Sequence, residues 1–175
     1  MNGIIADINE GIATRSALDH IALYGIADPV IVRDDEDGDN LFPVVIDADG
    51  ECHDVLFDDA NDVSAFHRLN TKTYQTMRVS GFGDDPQRVV TYDMSLYVSG
   101  RRSAIDQYRL EHLCVAAIEN AANGEKRTST DVVSTNFNRV QVFQSEYTGL
   151  QFPIQPNIFL FKINYKLTRI QSVCH

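Results

Sequence analysis

The chain has 175 residues, of which 43% are hydrophobic, and its formal net charge is −10. This length and apolar fraction predict one globular domain over residues 1–175, able to bury roughly 70% of its unfolded surface. No apolar run approaches the ~20 residues of a membrane span, and an acidic chain is repelled by phosphate backbones, which argues against membrane insertion and direct nucleic-acid binding.

Two helices are predicted at the N-terminus. Isoleucines recur at every fourth position from Ile4 to Ile12, which is typical of the buried face of a helix. The glycine within that stretch is expected to end or bend the first helix. Ser16 and Asp19 then have the spacing of a capping box, which predicts a second helix ending at Gly25.

A strongly acidic region follows. Thirteen of the 25 Asp and Glu residues lie between Asp28 and Asp62, where Arg33 is the only base. The densest part, residues 33–40, is predicted to be an exposed acidic loop. A calcium loop of the EF-hand type is not predicted, because no glycine here places oxygen ligands at the positions that this motif requires.

Short strands are predicted around this loop. The apolar run Leu41–Ile46 contains Pro43, which favours a sheet edge or the start of a strand, and it forms a hairpin with Cys52–Phe57. Residues 58–71 are interpreted as a polar insertion, because apolar residues recur there only at helical spacing, from Val63 to Leu69, which favours a short helical excursion.

A second hairpin and a long helix come next. Thr73–Val79 is predicted to pair with Arg88–Ser99, whose alternate residues from Val90 to Val98 are apolar and expected to face inward. Another capping-box spacing precedes a helix at about 104–122 with one apolar face that includes Cys114.

The last strands are predicted at Val132–Ser145 and Asn157–Ile170. The second of these alternates most regularly, with apolar residues at every second position (Phe159, Phe161, Ile163, Tyr165 and Leu167). The whole order predicts an α+β fold: a mainly antiparallel β-sheet with N-terminal helices and one long helix, about 104–122, packed on one face.

No catalytic, cofactor or metal site is predicted. Gly81-Phe-Gly83 precedes two aspartates and a proline, which are unsuited to a phosphate loop. The Cys-His pairs at Cys52 and Cys174 lack the spacing of zinc ligands, and three distant cysteines do not indicate a disulfide framework. No serine elbow occurs, and no histidine lies in a catalytic motif.

The layout resembles the tail terminator, or tail-completion, and neck proteins of tailed bacteriophages. The resemblance lies in the order of elements: an N-terminal helix, an F-P-V-V-I strand at Phe42–Ile46, a long hairpin, a capped helix at Ser103–Asn123 and a closing I-F-L-F-K-I-N-Y-K-L strand. The acidic loop 33–40 and the insertion 58–71 depart from that layout.

This resemblance implies a non-enzymatic virion protein that assembles into a hexameric ring at the head-proximal end of the tail tube. Its partners would be itself, the tail tube protein and the head-completion or connector proteins, while DNA passes through without sequence-specific binding. Made in the host cytoplasm, the subunit would reside in the virion tail or neck. No cofactor or membrane is implied.

The charge distribution suggests how neighbouring copies would meet in such a ring. Residues 1–100 hold most of the acids and residues 101–175 have a small basic excess, which suits a head-to-tail contact between unlike surfaces. The candidate interface residues are Asp34, Asp35, Asp37, Asp39, Arg101, Arg102, Lys126, Arg127 and Arg139. Two alternatives stay open: another non-catalytic structural or binding protein, or a divalent-metal-dependent enzyme that uses the acidic loop.

Overall fold

The computed structural model describes residues 2–26, 30–34, 41–46, 49–55, 60–77, 87–123, 141–144 and 156–172. These residues form two helices and eight strands. In chain order they are α1 (Asn2–Ser16), β1 (Ile21–Tyr24), β2 (Val30–Asp34), β3 (Leu41–Ile46), β4 (Cys52–Asp54), β5 (Val63–Met77), β6 (Gln87–Arg101), α2 (Gln107–Asn123), β7 (Gln141–Gln144) and β8 (Ile158–Ser172). The predicted α+β class is confirmed.

The larger sheet has five strands in the order β1-β5-β6-β8-β7. Strands β5, β6 and β8 are each 15 residues long and pair antiparallel along most of their length. Strand β7 also pairs antiparallel with β8, whereas β1 pairs parallel with the beginning of β5. The sheet is therefore mixed, but mainly antiparallel as predicted.

The smaller sheet has three antiparallel strands in the order β2-β3-β4. Strand β3 lies in its centre, so the strand as a whole is not at an edge, although Pro43 itself has a neighbouring strand on one side only. Pro43 is tolerated because β4 pairs only with Val44–Ile46, so that the missing N–H of the proline removes no bond to that strand.

The core lies between the two helices and one face of the larger sheet. The alternation predicted for the last strand is confirmed, because its five inward residues are all at most 3% exposed. They belong to one buried cluster with helix residues such as Ile8 and Leu110 and with β6 residues such as Leu96. Cys114 is fully buried there, as its helical phase predicts.

Gly11 does not end the first helix. It lies within α1 where that helix crosses α2, and a Cβ built on it would lie 3.1 Å from Cβ of Ala117. The absence of a side chain at Gly11 and the small one at Ala117 let the two helices approach closely. This close packing explains why a glycine is present at this position, although glycine destabilises the interior of a helix.

The second predicted N-terminal helix is wrong, because Ile21–Tyr24 forms strand β1. The hydroxyl of Ser16 donates to the carbonyl of Ala13 at 3.1 Å, so it serves the end of α1 and does not begin a new helix. Ala17 follows with a positive φ of 53°, a left-handed conformation that ends the helix. Strand β1 then pairs with Val63–Phe66.

The interpretation of residues 58–71 as an insertion with a helical excursion is also wrong. From Val63 onward this segment is the first half of β5. Val63 lies in the helix-covered core, whereas Phe66 lies on the opposite face and stacks on Tyr97 at 4.8 Å between ring centroids. A bulge between Leu69 and Thr71 shifts the register, which interrupts the alternation that would have indicated a strand.

Several predicted segments lie outside the described residues. Of the strand predicted at 132–145, only β7 is described, and most of the acidic loop 33–40 is not.

Candidate assembly surface

The described residues include no cluster of possible metal ligands. Within those ranges no three His, Cys, Asp or Glu side chains lie close enough together to hold a metal ion. The Cys114 thiol is buried, and this burial raises its pKa above the usual range, which disfavours the reactive thiolate. Neither described helix is long and apolar enough to span a membrane.

One buried polar cluster joins α1 to the sheet. The ring of His67 lies 2.9 Å through Nδ1 from the Tyr165 hydroxyl and 2.9 Å through Nε2 from Oδ1 of Asn9. Both contacts are satisfied when Nε2–H donates to Asn9 and Nδ1 accepts from the tyrosine O–H, which is the neutral imidazole. Burial lowers the pKa of His67 to about 4 and raises that of Tyr165.

The position of this cluster gives it a structural role. His67 is 4% exposed and Tyr165 is 3% exposed, so neither side chain can meet a ligand from solution without the core opening. Each ring nitrogen of His67 has a hydrogen-bond partner. Buried polar groups that are hydrogen-bonded in this way do not cost stability. The cluster therefore fixes where α1 lies on the sheet.

The opposite face of the sheet carries two polar rungs. In the first, the Asn70 side-chain amide donates to Ser95 Oγ at 2.8 Å, and Ser95 Oγ donates to Oδ1 of Asn164 at 2.7 Å. These two bonds tie β5, β6 and β8 together beside the bulge.

The second rung is charged. Oγ1 of Thr71 donates to Oδ2 of Asp93 at 2.7 Å, and Nζ of Lys166 lies 3.3 Å from Oδ1 of the same carboxylate. Oδ1 of Asp93 accepts no hydrogen bond of good geometry. The positive charge of the Lys166 ammonium compensates the negative charge on this oxygen. The Thr71 hydrogen bond, with help from Lys166, lowers the pKa of Asp93.

From the rungs outward the three long strands continue as what we call the basic arm, made of residues 68–77, 87–93 and 165–172. These segments hold five of the 15 Lys and Arg residues of the chain but only one of its 25 Asp and Glu. The five bases are Arg68, Lys72, Arg88, Lys166 and Arg169. Residues 78–86 add one arginine and two aspartates and lie outside the described residues.

The β5 side of the basic arm is an open edge. Strand β1 pairs with β5 only at Val63–Phe66, and no other described strand lies on that side of β5. From Arg68 to Thr76 every residue of β5 except Leu69 is exposed. An unpaired strand edge of this length is an available contact surface.

Lys72 lies beside two tyrosines at this edge, the exposed Tyr74 and the partly buried Tyr92. Nζ of Lys72 lies 5.0 Å from the ring centroid of Tyr74 and 5.3 Å from that of Tyr92. Tyr74 is 60% exposed, one of two large hydrophobic side chains so exposed among the described residues. A hydrogen bond to Tyr74 raises the pKa of Lys72.

The candidate residues Arg101 and Arg102 lie at the other end of β6. Arg101 Nε donates to the carbonyl of Asn61 at 3.1 Å, so this guanidinium stabilises the chain just before β5 begins. Arg102 is exposed, and its guanidinium lies 5.8 Å from the Phe159 ring. A Cβ at Gly100 would lie 2.7 Å from the same ring, so the glycine is what allows Phe159 to cross the strand there.

The other candidate residues are not brought together by the described structure. Asp34 is the last residue of β2, and its side chain is not described. The remaining candidates, Asp35, Asp37, Asp39, Lys126, Arg127 and Arg139, lie outside the described residues. Sequence reasoning missed the basic arm, because its cations are spread over about 100 positions and only the strand register makes them neighbours.

Comparison with known proteins adds no relative from which a role could be inferred. The chain matches no protein-family model, and no curated protein matches it significantly.

Proposed function

We propose that the protein is a non-enzymatic assembly subunit of a phage virion, a tail terminator or a head–tail neck subunit. In this proposal copies form a ring, expected to be a hexamer, that caps the tail tube and joins it to the capsid connector. Its partners are other copies, the tail tube protein and the head-completion or connector proteins.

One observation supports this proposal above the others: three 15-residue strands lie side by side, and the part of β5 that carries Arg68 and Lys72 is exposed along an open edge. A ring needs two different surfaces on each subunit, because each copy presents one surface to the other surface of its neighbour. An arm of one charge on a body of the opposite charge meets that requirement.

The overall charge agrees with the same role. A net charge of −10 keeps a ring of many copies from holding DNA tightly as it passes through the lumen. A divalent-metal-dependent enzyme that uses the acidic loop stays the alternative, since most of that loop lies outside the described residues.

The test is the mass of the purified protein in solution. We expect size-exclusion chromatography with light scattering to give a hexamer-sized species at high protein concentration and low salt, and negative-stain images to show rings. A monomer at every concentration and salt would overturn the proposal.

A variant tests the acidic loop separately. Replacing Asp34, Asp35, Asp37 and Asp39 by Asn removes four negative charges with little change in volume. If this loop contributes to the contact, the assembly of the variant requires higher protein concentration and depends less on salt. An unchanged assembly would remove the loop from the contact and leave the ring standing.

A further inference from the structure

We infer that the basic arm is the surface with which one copy contacts an acidic surface of the next copy. This inference rests on the proposed ring and names the contact within it. The pairing expected from sequence, between the acidic loop and Arg101, Arg102, Lys126, Arg127 or Arg139, stays a separate prediction; of these cations, Arg101 is engaged with Asn61.

Charge complementarity identifies the second copy as the occupant. Since the basic arm holds five bases and one acid, the rest of the chain holds ten bases and 24 acids. Acids lie exposed on several described elements and turns outside the arm, namely Asp7, Glu10, Asp19, Asp49, Glu51, Asp106 and Glu119. Every other copy therefore offers the arm an oppositely charged surface at the concentration of the protein itself.

The geometry favours contact through side chains over addition of a further strand. The bulge beside Leu69 distorts the open edge, and Arg68 and Lys72 place two cations along it. Bulges and edge lysines are the features by which proteins discourage another strand from pairing. A partner with carboxylates can still meet these cations.

The basic arm is also held in shape before any partner arrives. The rung from Asn70 to Asn164 and the rung from Thr71 to Lys166 cross all three strands at its base. An ordered surface loses less conformational freedom when it binds, so more of the interaction energy appears as affinity.

Nucleic acid is the competing occupant, since a cation beside the exposed Tyr74 also suits phosphates and bases. The rest of the chain disfavours it. A phosphate backbone that reaches the basic arm also meets the field of a body with 14 excess negative charges, whereas a second copy is attracted by the same arrangement.

The experiment compares two charge reversals of equal size. The arm variant is Arg68→Glu with Lys72→Glu, and the matched control is Arg15→Glu with Arg109→Glu, two exposed arginines on the helices. None of the four side chains lies in the core or in a polar rung. Circular dichroism and thermal unfolding first establish that both variants fold.

Assembly is then followed by light scattering as a function of protein concentration, between about 50 and 500 mM salt. We expect the wild type and the control to assemble alike and to weaken as salt rises. The arm variant should require at least about tenfold more protein to assemble. If it does not fold, Arg68→Gln with Lys72→Gln gives the same test with a smaller loss of charge.

The outcomes separate this inference from the proposed function. An arm variant that assembles like the wild type overturns the inference and leaves the ring intact, whereas a wild type that never assembles overturns both. Fluorescence anisotropy with a DNA duplex of about 20 base pairs tests the other occupant. DNA binding that is lost in the arm variant while assembly is unchanged would assign the basic arm to nucleic acid and also overturn the inference.

Discussion

His67 joins three elements through its two ring nitrogens. It lies on β5, contacts Tyr165 on β8 and reaches Asn9 on α1. The ring is buried in its neutral form, since a charged imidazolium would have to donate from both nitrogens and would lose its hydration. Protonation therefore works against the packing of α1 on the sheet.

We predict that this residue makes the protein less stable in mild acid. The pKa of His67 is about 4 in the folded chain and 6.5 for the ordinary side chain. Between these values the unfolded chain binds more protons than the folded chain, so the free energy of unfolding falls as pH decreases from about 6.5 to about 4. The full loss is about 3 kcal/mol, measured by urea unfolding across this range.

The control for this prediction is a pair of substitutions. His67→Gln cannot titrate, so its stability should vary less with pH over the same window, although the variant is less stable at neutral pH. His112 is exposed on α2, and His112→Gln should keep the dependence of the wild type. If His67→Gln also kept it, other groups would be responsible.

The long strands differ in how clearly their residue pattern indicates them. Strands β6 and β8 were predicted from alternation, because a helix-covered face demands an apolar residue at every second position. Strand β5 was predicted only from Thr73 onward, because the bulge and the buried His67 interrupt its alternation. Strand β1 was predicted as a helix, because Ser16 has the spacing of a helix cap and the four residues Ile21–Tyr24 do not indicate a partner strand 42 positions further along the chain.

We predict that the two halves of β5 exchange their amide hydrogens differently. Residues 63–66 lie between β1 and β6. Their amides point alternately to these two strands, so each amide has a partner strand and should exchange slowly. Residues 71–77 pair only with β6 among the described strands, so alternate amides point outward and should exchange quickly.

Hydrogen exchange followed by NMR under monomeric conditions checks this difference. Residues 89–93 of β6 are the internal reference, since they lie between β5 and β8 and should all be protected. Uniformly slow exchange over 71–77 would show that the edge is covered, and the basic arm would then not be open to a neighbour.

For the whole molecule, the class of fold could be predicted from sequence and the candidate surface could not. Periodicity acts over a few residues, so it indicated the helices and the regular strands. The grouping of charges in the basic arm depends on strand register. Lys72 pairs with Tyr92, Tyr92 pairs with Leu167, and Leu167 is the sequence neighbour of Lys166. Only a known pairing brings these distant bases into one part of the sheet, where Lys72 and Lys166 lie on opposite faces, and the acidic total of the chain concealed this grouping.

We predict that the chain does not fold without β8. Its five inward side chains are each worth about 1.5–3 kcal/mol when buried, and their sum is comparable to the whole stability of a domain. A fragment of residues 1–155 should therefore show no cooperative urea transition.

Adding a peptide of residues 156–172 to that fragment should restore the transition, as seen by circular dichroism. The same peptide with Phe161→Lys and Ile163→Lys should not, because both positions are buried. A cooperative transition of the fragment alone would contradict the prediction.

The strand order has a consequence for the nascent chain. Strand β6 is complete at Arg101, but its partner β8 begins only at Ile158. At about 5–20 residues per second, the ribosome needs roughly 3 to 11 seconds to supply that partner. During this interval the edge of β6 that later pairs with β8 is unpaired, and apolar side chains beside it are uncovered. Two incomplete chains can associate at this edge. Fast translation or a chaperone over this interval should raise the yield of soluble subunits.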